Sequence, residues 1–309
     1  MRKHKSAGHH WWPECVSARW KDKEGCVHWL EPSGKSHHAP PKNFGVIGNG
    51  HLIQLDQRPG EESVWDTEFE SEFQHADNVF RTLIDWLLTL ERPSQPSPDE
   101  STLQFCPQHT SDERLAMITE CVISLAVRSP MNRNAAVSLA EKMRGPLSER
   151  ERNALIGANM KGTQRRVADS IGSQAKFAVI FSLEREFIFG DGFFHNVRSP
   201  VRSAFDLKVL APITPNLAVA LTRPIQYRVE PKLVTTVVTK AQADILNHAV
   251  QVYARDALFY RSDRPVIDDA FRKGQHLEYS HPDNPIDSLL RQISGVPPRS
   301  ASLDHWFSC

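Results

Sequence analysis

The most regular pattern of apolar and polar positions lies between residues 69 and 90. Phe69, Phe73, Ala76, Phe80, Leu83, Leu87 and Leu90 recur at alternating spacings of four and three, which places all seven on one face of an α-helix. The acids Glu68, Glu70, Glu72 and Asp77 fall off that stripe, while Trp65 and Trp86 widen it. The pattern predicts a core helix, ended by Pro93, Pro96 and Pro98 in an exposed linker. Thr110 and Glu113 have the spacing of a capping box and predict a second helix with a core face of Leu115, Ile118, Val122 and Leu125. Pro130 stops it just past Arg128. A third helix is predicted over 134–144, broken by Gly145-Pro146, and Ser148 with Glu151 starts a fourth that runs to about residue 171.

Short strands are expected on either side of this helical run. Residues up to about 60 read as strands, with a hairpin over 25–38 around the turn Pro32-Ser33-Gly34. After Gly172, residues 177–182 and 187–190 read as two strands joined by the charged turn Leu183-Glu184-Arg185-Glu186. Residues 209–213 and 217–222 read as a second pair linked through Thr214-Pro215-Asn216. A last helix starts at Thr239, with Gln242 three residues on, and passes Tyr253. The expectation is an α+β fold: an N-terminal β-hairpin region, a helical middle, and a β-rich C-terminal half closed by a helix. It is drawn as one domain over 1–265, with a β-rich part to 60, a helical part over 61–172 and strands plus closing helix over 173–265. Residues 266–309 form a polar, partly ordered tail.

Composition narrows the function classes. The 309 residues include 37 basic and 37 acidic side chains, a balance that argues against indiscriminate coating of nucleic acid. The balance is uneven along the chain. Residues 61–100 carry eleven acids against Arg81 and Arg92, whereas residues 128–176 carry ten basic side chains against four acids. Acidic and basic segments are expected to face each other within the fold; a basic face meeting an anionic partner, nucleic acid or another protein, is the alternative. The longest uncharged apolar stretch, 209–222, is 14 residues and contains Pro212 and Pro215; a membrane span needs about 20. The basic N-terminus has no apolar core of the kind a secretory leader carries. Five scattered cysteines, with no CxxC pair, read as reduced thiols of a cytoplasmic protein.

In mid-sequence order, several local motifs resemble the family called domain of unknown function 4238 (DUF 4238). They begin with His10-Trp11-Trp12-Pro13, for a His-x-x-Pro element, followed by Trp20 where the family has Phe. Glu24-Gly25 to Gly34 and Pro41-Lys42-Asn43 match a glycine-containing hairpin and a Pro-x-Asn element. Arg128-Ser129-Pro130 stands for a helix ending in Arg-Thr-Pro. Gly190-Asp191-Gly192 keeps only the Asp of a Ser-Asp-Asn-Pro strand end. Ala211-Pro212-Ile213-Thr214-Pro215 matches a Pro-Leu-Ser-Pro strand, and Leu246-Asn247 a late Leu-Asn helix. The resemblance spans about residues 9–262 and implies a fold and a residue set more than a reaction.

Those motifs supply the candidate chemistry. His10, beside two tryptophans, suits a general base or metal ligand; its plain role is a hydrogen bond to a carbonyl. Asp191 sits where a strand meets a loop, a frequent place for catalytic groups, or forms a tight turn with Gly192. Asn247 can orient a ligand or cap a neighbouring loop. These three are the catalytic candidates. Arg128 can clamp a phosphate or carboxylate with its planar fork, or pair with an acid at its helix end. It joins Trp12 and His195 as a substrate-binding candidate. Seven of the 14 histidines lie in the first 51 residues, which keeps a divalent metal in play, although their spacing fits neither a structural zinc site nor a ββα nuclease motif. No Walker loop, GxGxxG, GxSxG or HExxH occurs. Two functions follow. One is hydrolysis of an anionic substrate, such as a phosphodiester or nucleotide, by a toxin or defence effector. The other is partner binding, with the same polar residues forming a structural network.

Overall fold

The structure, a computed structural model, describes residues 8–48, 54–56, 64–65, 68–99, 102–192, 194–195, 208–222, 231–274, 289 and 292–293. The chain is α+β. Its N-terminal part holds β1 (Gly8–His10), α1 (Glu14–Ser17), β2 (Val27–Leu30), β3 (Ser36–Ala39), β4 (Val46–Gly48), β5 (Gln54–Asp56) and β6 (Val64–Trp65). The helical middle is α2 (Glu68–Leu87), then the short β7 (Cys106–Gln108), α3 (Asp112–Arg128), α4 (Pro130–Arg144) and α5 (Glu149–Ile171). Next come β8 (Lys176–Ser182), β9 (Phe189–Gly190), β10 (Phe194–His195), β11 (Lys208–Thr214), β12 (Leu217–Thr222) and β13 (Leu233–Val238). The chain continues through α6 (Lys240–Tyr253), β14 (Leu258–Tyr260) and α7 (Asp269–Arg272).

Two sheets organise these elements. One has six strands in the order β10-β11-β12-β8-β13-β7, and the other four in the order β3-β2-β14-β9; β1 pairs with β4 and β5 with β6. Strands β8, β12 and β13 are buried at every position, which explains why they read as unbroken apolar or Thr-rich runs instead of alternating. β13 runs parallel to β8, a pairing that needs the long connection between them.

The hairpin expected over 25–38 forms from β2 and β3, antiparallel and in register from Val27↔Ala39 to Leu30↔Ser36. The pair at 209–222 forms β11 and β12, with a register shift between Pro212 and Thr214. The strands expected at 177–182 and 187–190 are not a hairpin. β8 stays in the large sheet while β9 joins the small one, because the turn between them carries the chain from one sheet to the other. Five strands escape the sequence pattern: β6 and β10, two residues each, β7 and β14, three residues each, and β13, whose Leu-Val-Thr-Thr-Val-Val run lacks alternation. The second helix is capped one residue later than expected, by the Ser111 hydroxyl accepting from the Arg114 amide. The third begins at Pro130 rather than 134. Ser129 ends α3 and caps α4, so the proline that stops one helix occupies the first turn of the next, where its missing N–H costs nothing.

On α2, Phe73, Ala76, Phe80, Leu83 and Leu87 are all buried, as the stripe predicts; the side chain of Phe69 lies outside the described residues. The acidic face of α2 meets basic groups from elsewhere: Asp77 pairs with Arg128 of α3 at 2.7 Å, and Asp85 with Arg19. Beside it, Arg114 lies over the Trp86 ring, 4.9 Å from its centroid. The tail read as starting at 266 lies largely outside the described residues, yet Phe271, Leu289 and Ile293 are buried. Phe80 has no exposed surface, so Phe80→Ala should lower stability by about 3–5 kcal/mol through the cavity it leaves. Urea denaturation would measure this, and an unchanged midpoint would contradict the burial of the stripe.

Candidate functional site

Asn247, Asp191 and Trp12 meet on one stretch of backbone. Segment 182–192 leaves the large sheet at Ser182 and enters the small sheet at Phe189, and Phe187, Ile188 and Phe189 are buried on the way. A buried crossing of this kind must find partners for amides and carbonyls that no regular ladder serves.

Several motifs provide them. The Asn247 side chain, on α6, accepts the Ile188 amide at 3.0 Å and donates to the Glu186 carbonyl at 2.9 Å. The Asp191 carboxylate accepts the amides of Arg255 and Asp256, one on each oxygen, at 2.8 and 3.0 Å. The Asp191 amide donates to the Ala257 carbonyl, and its own carbonyl accepts the Met131 amide at the start of α4. Trp12 is fully buried and stacks on Phe189 with ring centroids 4.2 Å apart. Gly190 and Gly192 follow from close packing: a Cβ on Gly192 would stand 2.1 Å from the Tyr253 carbonyl oxygen, and one on Gly190 2.7 Å from the Ala254 Cβ.

Arg128 sits apart from this stretch, at the end of α3. It is buried, and its fork holds both Asp77 oxygens, at 3.0 and 2.7 Å, along with the Ser124 hydroxyl and carbonyl. Its guanidinium also lies over the Phe73 ring. The acid-pairing alternative is thus what the side chain does. His10 contributes backbone to β1, opposite Val46, and His195 to β10, opposite Val209; both side chains lie outside the described residues.

An open cleft of about 320 Å³ lies on the outer side of Asn247, a size within the range of small-molecule or peptide-side-chain sites. Its walls are α6, the 183–186 turn and residues 263–268. Glu186 clasps the chain entering the last of these, accepting from Arg261 Nε at 2.8 Å and from the amides of Ser262 and Asp263. Burial raises the Glu186 pKa, but Arg261 and the two amides more than offset that and leave it below the ordinary value. Arg185 bridges Asp244 at 2.8 Å and Asp263 at 3.8 Å. His248 Nδ1 pairs with Asp268, and Gln251 holds the Val266 carbonyl and the Asp268 amide. Sequence reading missed Glu186, Gln251 and the His248–Asp268 pair, since each sits in a charged turn or polar helix face that resembles ordinary solvated surface. The one available signal was Glu186 standing directly before the apolar run Phe187-Ile188-Phe189.

The chain matches no family model, no curated protein and no solved structure. Its chemistry must be read from the side chains themselves. Among the described residues no group of three or more His, Cys, Asp or Glu side chains is placed to hold a metal. Burial drives the Cys121 thiol well above its ordinary pKa and raises that of Cys15, which disfavours the thiolate form of both. No helix among the described residues is long and apolar enough to cross a membrane.

Asp191 is the one described carboxyl moved toward neutrality. Desolvation raises its pKa from 3.8 to about 6, against the pull of the Arg255 and Asp256 amides. The folded protein therefore holds this proton up to about pH 6, and the unfolded chain only to about 3.8. This contribution to stability is present at low pH and is lost as pH rises between those values. Between about pH 4.5 and about pH 7 the wild type should lose roughly 2 kcal/mol relative to Asp191→Asn, which does not titrate. Urea denaturation of both proteins at the two pH values tests this; a constant difference would mean that Asp191 is ionised throughout.

Proposed function

We propose that this chain works by binding a partner protein, with its motif residues acting as structural pins and not as catalysts. One observation carries the reading: both ends of the Asn247 amide are engaged by backbone of 186–188, which fixes that side chain in a structural role. The Asp191 oxygens and the Arg128 fork are engaged in the same way. The cleft beyond Asn247 is the surface best suited to a partner. Its charged walls carry the exposed Val266, and the exposed Ile245 directly follows the lining residue Asp244. An apolar centre within a charged rim is the usual anatomy of a protein interface, and fits a peptide segment with an apolar side chain between charged ones.

A second reading, hydrolysis of an anionic phosphodiester or nucleotide by a toxin or defence effector, is favoured by Asp191, whose pKa of about 6 suits general acid–base work. Membership of the DUF 4238 family and a cytoplasmic location belong to the proposal too. The ordered motifs support the first, and the free thiols of Cys15, Cys26, Cys106 and Cys121 the second.

Purified protein incubated with labelled DNA, RNA and nucleotides, with and without Mg²⁺ or Mn²⁺, should show no turnover above that of Asn247→Ala. The same variant should lose about 1–3 kcal/mol of stability for each buried backbone group it orphans. An Ile245→Asp, Val266→Asp double variant should fold normally and lose a partner that cross-links to the wild type. Turnover by the wild type that a still-folded His10→Ala variant lacks would establish the hydrolase instead.

A further inference from the structure

Away from that cleft, on the small sheet, three aromatic side chains line one face in register across neighbouring strands. Tyr260 of β14 stands opposite His28 of β2, and His28 opposite His38 of β3. Trp29 and His37 form the next pair along, which alternation of the pleat turns to the other face. The His28 and His38 ring centroids are 5.8 Å apart, and the Tyr260 ring lies 5.3 Å from His28 on its other side. The Tyr260 hydroxyl is itself within 3.3 Å of the Ser36 hydroxyl.

A carboxylate stands behind His28. Asp22 Oδ2 is 2.7 Å from His28 Nε2, while Asp22 Oδ1 accepts the amides of Glu24 and Cys26 at 2.9 Å each. The carboxylate is thereby fixed to its own turn and aimed at the ring. Since a carboxylate accepts, the neutral imidazole carries its proton on Nε2 and presents the Nδ1 lone pair. Carboxylate–imidazole pairs of this kind fix tautomer and orientation in metal sites and raise ligand basicity.

We propose that His28 and His38 chelate a late first-row divalent metal ion, with Asp22 as the positioning residue for His28. Two imidazoles sharing a metal at 2.0–2.1 Å have ring centres about 5 Å apart, so the observed spacing closes with a small rotation of the exposed His38. Imidazole ligands suit Cu²⁺, Ni²⁺ and Zn²⁺, and Cu²⁺ binds most tightly in that series. With two protein ligands the remaining coordination positions belong to water, which makes this an open site rather than a structural zinc centre. The inference stands on the β2–β3 hairpin and is independent of the reading of segment 182–192.

The test is equilibrium dialysis of the full chain against CuCl₂, NiCl₂ and ZnCl₂ after stripping with chelator. The wild type should bind one equivalent more than His38→Ala, an exposed position whose loss does not threaten folding. His28→Ala should lose the same equivalent, and His37→Ala, on the opposite face, should retain it. Asp22→Asn should keep the stoichiometry with affinity reduced by about 10–100-fold. Equal stoichiometry in wild type and His38→Ala would overturn the proposal, since other histidines would then account for all the binding. An equal loss in His37→Ala would overturn it as well.

Discussion

The passage of residues 182–192 from one sheet to the other is the constraint on which the arrangement depends. After the exposed turn at Leu183, residues 187–192 are buried with three apolar side chains in a row, and they cannot be so with bare amides and carbonyls. The partners come from four places distant in sequence. Asn216 binds the Ser182 carbonyl, and the Pro215 carbonyl accepts the Phe187 amide. Asn247 serves residues 186 and 188, and the strand end at Ala257 with the start of α4 serves residue 191. Hydrogen bonds of this kind add little net stability each, but an unmade one costs the desolvation of a buried polar group. The network therefore fixes where the two sheets and α6 meet more than it adds to their stability. That also explains why polar residues so far apart along the chain share one neighbourhood.

Charge is handled by the same economy. The acidic α2 is strongly one-sided in sequence, and two of its acids find Arg128 and Arg19. Arg128 is buried with both Asp77 oxygens and Ser124 around it. Removing Asp77 would strand the buried guanidinium, which is costlier than the pair is worth as a pair. An arginine that would serve well as an anion clamp on a surface is here committed to joining α2 to α3.

Regular elements were legible in the sequence where a period was present. The α2 stripe from Phe73 to Leu87, the β11–β12 hairpin and the Thr239–Gln242 capping box all appear as read, though the helix ends before Leu90. What could not be read depends on contacts between distant segments. β13 looks like a loop or strand equally well until β8 lies beside it in parallel. The 183–186 turn looks like a hairpin connection, but Phe189 stacks on Trp12 and packs against Trp20 and Phe44 from the N-terminal part, which draws it into the second sheet. Asn247 and Asp191 stand out through the motif resemblance, Asp191 also by its place at a strand end; whether they hold backbone or substrate is decided by the other end of each hydrogen bond.

Site-resolved amide hydrogen exchange reports on that other end most directly. If Asn247 pins the crossing, the Ile188 amide in the wild type should exchange nearly as slowly as the β8 amides. In Asn247→Ala it should lose protection by about 1–3 kcal/mol more than those amides do. An Ile188 amide that exchanges like an unstructured peptide in the wild type, or that is unaffected by the substitution, would contradict the account.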